Sequence, residues 1–206
     1  MHPGHNTRIG SFSRVVALAL AAIACAPAWG QTTSKADAAR GVAKAKPCAQ
    51  CHGTPEQPPL AGLPSLAGQK AECLEAQLFF IREGLRPVPQ MEGMLKDMKD
   101  SDLSDMAAYF SKQAPLRLRT RLDPELQARG DALAKRHGCG TCHMPDFVGQ
   151  RQIPRINGQR EDYLVTTLKA YHDNKRTGSD TSMNAVMYGI PESDMKALAH
   201  YLAHQS

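Results

Sequence analysis

The chain contains the pattern Cys-x-x-Cys-His twice, as CAQCH (48–52) and CGTCH (139–143). The sequence around the two copies repeats in the same order. For example, LPSLAGQ (63–69) corresponds to IPRINGQ (153–159), and the copies align at offsets of 89 to 92 residues with short insertions. An internal duplication of this kind indicates two copies of one folded module. Any structure inferred for one copy therefore has to suit the other.

Both copies are predicted to be helical. Apolar residues recur at helical spacing in a middle segment, 70–84 and 160–174, and in a final segment, 100–113 and 192–205. Proline and glycine concentrate between each Cys-x-x-Cys-His and the middle segment, which indicates a loop. No segment shows the alternation typical of a β-strand. The sequence therefore predicts an all-α fold with two tandem domains.

The repeat also predicts the domain boundaries. It gives an N-terminal domain, 31–115, a linker, 116–122, and a C-terminal domain, 123–206. The first helix of each domain is predicted to begin near Ser34 and at Asp123, because serine and aspartate cap helix N-termini.

Residues 1–30 have the layout of a secretory signal peptide. Arg8 and Arg14 precede an alanine-rich apolar run, and a small-residue pattern ends at Gly30. The run is short for a membrane span, which favours cleavage near Gly30. Retention as an anchor and lipidation at Cys25 are the alternatives. The expected location of the mature chain is the periplasm, as a soluble protein.

Three kinds of site use paired cysteines. A zinc site would need ligands from two pairs that lie 88 residues apart, and a disulfide does not explain the histidine after each pair. Cys-x-x-Cys-His is the signature of covalent c-type haem attachment, in which the thiols bond to the vinyl groups and the histidine ligates iron. Two copies in register behind an export signal favour haem, with zinc and disulfides as the alternatives. Two macrocycles would also compensate for an aromatic content of only 5%. The predicted cofactors are two haem c groups, attached through Cys48, Cys51, Cys139 and Cys142, with His52 and His143 as axial iron ligands.

The repeat distinguishes among the methionines that precede the final helices. With those helices aligned at an offset of 92, Met91 corresponds to Met183. Met94, Met98 and Met187 each correspond to a different residue type. Because an axial ligand should recur in both modules, Met91 and Met183 are predicted to complete the iron coordination. Met94 and Met187 are the alternatives, and Met98 is predicted to be a core residue.

The order of these features resembles that of class I cytochromes c, namely Cys-x-x-Cys-His, a Pro-x-Leu-x-Gly segment, a methionine and a final helix with an aromatic residue. The tandem arrangement with LAGQ resembles the dihaem cytochrome c4 family over essentially the whole mature chain. The resemblance implies a small helical bundle around a covalent haem in each domain. It also implies that a proline carbonyl accepts the N–H of each axial histidine, which assigns Pro64 to His52 and Pro154 to His143. Asn157 departs from the small residue that is commoner at its position.

Ligation by histidine and methionine fills both axial positions, so the iron has no open site for a substrate. The resemblance implies an electron carrier with redox protein partners, such as a quinol-oxidising complex or another cytochrome as donor and a terminal oxidase as acceptor. Neither a small-molecule substrate nor nucleic acid is expected, because the basic residues behind the net charge of +5 are interspersed with acids. Transient association of the protein with a membrane surface is a further alternative. The alternatives are a cytochrome subunit of a dehydrogenase, a dihaem peroxidase and a sulfur-oxidising enzyme.

The remaining cysteine and histidines are predicted to have no part in the chemistry. Cys73 should be a buried, inert thiol. His137 and His172 have no histidine counterpart in the other copy. His200 and His204 have the i, i+4 spacing of metal ligands, but a solvated helix face is the better prediction.

Overall fold

The computed structural model describes residues 35–115, 120–178 and 181–205. The predicted signal peptide and the first part of the predicted linker lie outside the described residues. Within these ranges the regular elements are helices, apart from one isolated bridge between Gln150 and Ile153. The prediction of an all-α fold is therefore confirmed.

The first module has three main helices and one short turn. Helix α1 spans Ala38–His52, α2 spans Ala71–Arg82, and α3 spans Asp100–Ser111. A single 3-10 turn, Pro89–Met91, lies between α2 and α3. Helix α1 begins later than predicted, because the carboxylate of Asp37 caps it by accepting from the backbone N–H of Ala39.

The second module repeats this order with two additional short helices. Helix α4 spans Pro124–Arg136, α5 spans Cys139–His143, α6 spans Glu161–His172, α7 spans Ser182–Met187 and α8 spans Glu192–Ala203. As predicted, Asp123 is the N-cap of α4.

The two Cys-x-x-Cys-His motifs lie in different parts of their helices. The Cys-x-x-Cys-His spacing suits the opening turn of a helix. The first motif instead forms the last turn of α1, which continues through Pro47 to His52. In the second module Gly138 adopts a left-handed conformation (φ 63°) after α4, and α5 begins at Cys139. The expected position is therefore wrong for the first copy, because no glycine interrupts the alanine-rich run before it.

In each module the first and last helices cross at a glycine. A Cβ on Gly41 of α1 would lie 2.1 Å from the carbonyl oxygen of Asp105 on α3. A Cβ on Gly130 of α4 would lie 2.2 Å from the carbonyl oxygen of Ala197 on α8. Gly41 and Gly130 are equivalent in the repeat. Both crossings are therefore close contacts between two helix backbones, and a larger residue at either glycine would require a backbone to move.

Two equivalent glutamines join the modules. The side chain of Gln69 donates to the carbonyl of Arg155 at 2.9 Å and accepts from the Arg155 N–H at 2.6 Å. The side chain of Gln159 makes the same pair of bonds with Ser65, at 2.9 Å and 2.8 Å. Since Ser65 and Arg155 are also equivalent in the repeat, these contacts give the interface local twofold symmetry.

A buried carboxylate fastens the start of α1 to α3. Asp105, 1% exposed, accepts from Nε and Nη2 of Arg40 at 2.9 Å and 2.8 Å, and from the backbone N–H of Asp37 at 2.8 Å. The hydrogen bonds from Arg40 are the main reason why the pKa of Asp105 lies below its usual value. Folding therefore favours the ionised form of this side chain.

We expect Asp105→Asn to lower the melting temperature at neutral pH, and this loss to disappear in acid. A lowered folded-state pKa contributes stability above the unfolded value of about 3.9, and this contribution is lost as the pH falls through the folded-state pKa. Thermal unfolding at neutral pH and below that pKa measures the difference, with the exposed Asp97→Asn as control. The same loss at both pH values would contradict the assignment.

Candidate functional site

The histidine of the first motif is held on one side by a carbonyl. Nδ1 of His52 lies 3.0 Å from the carbonyl oxygen of Pro64. A carbonyl can only accept, so the proton belongs on Nδ1, and Nε2 carries the lone pair that a metal requires. Among the described residues Nε2 has no hydrogen-bond partner. Burial lowers the pKa of His52, against the opposite effect of the Pro64 carbonyl, and this favours the neutral imidazole.

The second motif has the same arrangement in a more buried setting. Nδ1 of His143 lies 2.8 Å from the carbonyl oxygen of Pro154, and the residue is 6% exposed. Burial is again the main cause of a lowered histidine pKa. Gly149 allows the segment with Pro154 to approach, because it has a φ of 68° and a Cβ there would lie 2.4 Å from the Ile153 oxygen. Its backbone N–H also donates to the carbonyl of His143 at 2.9 Å.

The four motif cysteines are free thiols. Cys48 and Cys139 are half-buried, and Cys51 and Cys142 are exposed. Burial raises the pKa of both half-buried thiols. Within the described ranges the structure pairs none of them in a disulfide. The only described cluster of three or more metal-ligating side chains contains no cysteine. The described residues therefore support neither a disulfide nor a zinc site at the two motifs.

The candidate methionine ligands differ in how deeply they are buried. Met91 ends the 3-10 turn and Met183 lies on α7, and each is half-buried against the apolar core of its own module. Met94 is 50% exposed, whereas Met187 is 2% exposed and belongs to the core of the second module. Met98 is half-buried and packs against the core of the first module, in accordance with its predicted role. The axial role of Met91 and Met183 stays a prediction.

The groups in each module fit a covalently attached haem. Each module offers two unpaired thiols for the vinyl groups, an imidazole nitrogen with a free lone pair, a half-buried thioether and an adjoining apolar core. Imidazole and thioether are the axial pair of electron-transferring cytochromes c. The proline carbonyls fix the orientation of the imidazoles, as such partners do for most metal-bound histidines.

The prediction for His200 is wrong. This residue is 3% exposed. Its Nδ1 lies 3.0 Å from a carboxylate oxygen of Glu161, and its Nε2 accepts from the backbone N–H of Asp123 at 2.9 Å. His204 lies beside it, with Nε2 2.9 Å from the hydroxyl of Thr120. These bonds connect the starts of α4 and α6 to α8, so the pair has a structural role.

Cys73 and its repeat counterpart both lie near two arginines at the module interface. Cys73 is buried as predicted, and burial raises its pKa to about 11, so the thiol is inert at neutral pH. Its repeat counterpart, Tyr163, lies close to Arg86 and Arg176. These two arginines were not among the predicted site residues, although they occupy equivalent positions in the repeat.

None of the described helices is both long enough and apolar enough to cross a membrane.

Known proteins resemble the chain over most of its length. The profile of the family "Cytochrome C oxidase, cbb3-type, subunit III" matches residues 34–110, and that of "Cytochrome c" matches residues 127–206. The chain is 33% identical to cytochrome c4 of Pseudomonas aeruginosa over 84% of this chain and 90% of that protein. It is 31% identical to a thiosulfate dehydrogenase electron acceptor of Thiomonas intermedia, over 79% of this chain and 80% of that protein.

The fold agrees with these similarities. The crystal structure of reduced recombinant cytochrome c4 from Pseudomonas stutzeri matches with a TM-score of 0.76 and 32% identity, over 83% of this chain and all of that one. Two cytochrome c domains with correctly spaced cysteine pairs fit two covalent haem c groups. The chain therefore belongs to the cytochrome c4 family and is a dihaem electron-transfer protein.

Proposed function

We propose that the chain is a periplasmic electron carrier between components of a respiratory chain. The observation that carries this proposal is the duplicated histidine site. In both modules the motif histidine has its Nδ1 bonded to a proline carbonyl, at 3.0 Å and 2.8 Å, and its Nε2 is free among the described residues. Two such sites in one chain suit a protein that accepts and donates single electrons.

In this proposal His52 and Met91 ligate the iron of the first haem, and His143 and Met183 that of the second. Each bound haem supplies reversible one-electron chemistry, and the thioether raises its reduction potential. The protein fixes both ligands and surrounds them with an apolar core. With a histidine and a methionine as its two protein ligands, a bound iron would have no open position for a substrate, so the sites would exchange electrons with other proteins.

The proposed domains are 31–115 and 123–206, joined by residues 116–122, after removal of a signal peptide at residues 1–30. The close interface made by Gln69 and Gln159 favours electron exchange between the two modules of one chain, because it holds them in a fixed arrangement.

Contacts with the donor and acceptor are proposed to be small and transient, as in other electron-transfer encounters. A quinol-oxidising complex or another cytochrome is the proposed donor, and a terminal oxidase is the proposed acceptor. Charged residues of both signs are distributed along the chain. We therefore expect the rates at which the protein associates with its donor and acceptor to depend on ionic strength.

A second candidate has support from one relative. The 31% identity to a thiosulfate dehydrogenase electron acceptor favours a carrier that serves one dehydrogenase. The same ligands and modules would serve this role, and only the donor would differ.

Electron exchange with defined donors tests the two candidates. We expect membranes that hold a quinol-oxidising complex to reduce both haems when quinol is added, and an inhibitor of that complex to abolish the reaction. Oxidase-containing membranes should then reoxidise the protein. No reduction by quinol, together with rapid reduction by thiosulfate dehydrogenase and thiosulfate, would contradict the respiratory proposal and support the second candidate.

A further inference from the structure

An open groove of about 450 Å³ lies between α2 and α3 of the first module. The side chains that line it combine apolar surface with carboxylates, and the main ones are Phe79, Phe80, Leu103, Glu72, Glu75 and Asp100. The other face of α2 belongs to the protein interior, because Leu74, Leu78 and Ile81 contribute to the apolar core of the module. None of the proposed iron ligands or haem-attaching thiols lines the groove. The groove is therefore a feature separate from the haem site.

The groove has carboxylates that the protein itself does not neutralise. Asp100 is paired with Arg82 at 2.6 Å. Glu75 accepts a hydrogen bond from the hydroxyl of Ser104, which leaves its negative charge in place. Glu72 is exposed, and within the described part of the chain it has neither a hydrogen bond nor an ion pair. Two negative charges at the groove are thus available to a cation from outside the protein.

The equivalent face of the second module contains a cation of its own. Phe79 corresponds to Lys169, and Asp100 corresponds to Glu192. The ammonium nitrogen of Lys169 lies 3.8 Å from a carboxylate oxygen of Glu192. A lysine side chain therefore crosses from the middle helix to the last helix in the second module, at the place where the first module has an open groove.

The two free carboxylates of the groove also differ from their counterparts. Glu72 corresponds to Asp162, which pairs with Arg160 at 2.6 Å. Glu75 corresponds to Val165, which has no charge. The second module thus either neutralises or lacks each negative charge that the first module leaves available.

A lysine or arginine side chain suits the groove chemically. Such side chains place an alkyl stem on apolar surface and keep the charged end at the rim, where Glu72 and Glu75 lie. Phe79 is 40% exposed, and the guanidinium carbon of Arg82 lies 5.4 Å from its ring centroid, so this ring already accepts a cation. The volume falls in the range of ligand pockets, about 300–1,000 Å³, which is room for more than one side chain.

We propose that the groove between α2 and α3 is a docking site for a basic segment of a redox partner, whose lysine or arginine side chains take the place that Lys169 occupies in the second module. This inference rests on the proposed function, because it concerns a protein with which the chain exchanges electrons. It assigns that partner to the first module. The carboxylates speed the encounter by long-range attraction, and the aromatic side chains hold the bound segment.

Stopped-flow kinetics of the purified dihaem protein with quinol-oxidising membranes and with oxidase-containing membranes test the proposal. In Glu72→Gln/Glu75→Gln we expect the rate constant of one of the two reactions to fall about tenfold at about 10 mM salt. The difference should shrink at about 150 mM salt, because salt screens the attraction. Glu125→Gln/Asp97→Asn removes the same charge from exposed positions outside the groove, and this control should keep both rates close to those of the wild type.

Phe79→Lys tests the comparison between the modules, because it gives the first module the residue of the second. Glu75 lies four residues earlier on α2, at the spacing of a helical ion pair, so the new ammonium should neutralise the groove from within. We expect this variant to lose the same reaction rate as the double glutamine variant. Phe79→Leu keeps an apolar side chain and should retain most of the rate. The haem content per chain shows that each variant has matured.

Binding of acetylated octalysine, measured by titration calorimetry at low salt, tests the groove without electron transfer. The double glutamine variant should bind this peptide about fivefold more weakly than the wild type and the control, because each exposed ion pair contributes little. Equal octalysine affinity, or equal rates beside a wild type that exchanges electrons, would overturn the proposal. A wild-type protein that exchanges electrons with neither membrane would instead overturn the proposed function, and the octalysine titration would still decide whether the groove binds basic segments.

Discussion

Met91→Ala should remove the methionine ligand from one haem, whereas Met94→Ala should leave both haems with theirs. Met91 is half-buried against the core of the first module and has Met183 as its counterpart in the repeat. Met94 is 50% exposed and corresponds to Val186. The long-wavelength band of ferric, methionine-ligated haem should therefore lose about half its intensity in the first variant, since one of two haems loses its thioether. The reduction potential of that haem should fall at the same time.

The second module provides a matched comparison. Met183→Ala should also halve the band. Met187→Ala should keep the band but cost about 2–5 kcal/mol of unfolding free energy, because Met187 is 2% exposed in the core. Absorption spectra of the ferric proteins and chemical unfolding measure the two effects. A halved band in Met94→Ala or Met187→Ala, with full intensity in Met91→Ala or Met183→Ala, would contradict the ligand assignment.

Gly130→Ala should destabilise the second module, although alanine is the better helix former. Within a helix this change normally gains about 1 kcal/mol. Here the added Cβ would lie 2.2 Å from the Ala197 oxygen and 2.4 Å from the Cβ of Tyr201. Since the backbone of α8 has to move, we expect a net loss of about 1–3 kcal/mol.

Thermal or chemical unfolding of the dihaem protein measures this loss. Gly41→Ala should behave alike, because its Cβ would lie 2.1 Å from the Asp105 oxygen. Ala132→Val, at an exposed position on α4, should change the stability by less than about 1 kcal/mol. A stabilised Gly130→Ala protein would show that α4 and α8 do not cross this closely.

The repeat predicted much of the fold because both copies have to satisfy the same packing. The middle helices were expected at 70–84 and 160–174 and are observed at Ala71–Arg82 and Glu161–His172. The same comparison singled out Met91 from its neighbours. Agreement between two copies removes most of the ambiguity that periodicity leaves in a single copy.

The repeat could not predict what one copy has and the other lacks. His200 corresponds to Ala108, and its partners come from the starts of α4 and α6, which a pattern within α8 does not reveal. The break at Gly138 likewise has no counterpart in α1, so the two motifs differ in helical setting.

The arginine pair was missed for a different reason. Arg86 and Arg176 are equivalent in the repeat, but only their proximity across the interface makes them unusual. Charged residues at the ends of helices are common and carry little signal on their own. Contacts between modules are therefore the part of this fold that sequence periodicity predicts least.

The haem content and ferric spectrum of the wild-type protein, matured by a c-type haem assembly system, test the central claim most directly. We expect two covalently attached haems per chain, both low-spin, with the long-wavelength band of methionine ligation at the intensity of two haems. A single haem per chain, or a high-spin ferric haem at rest, would contradict the account.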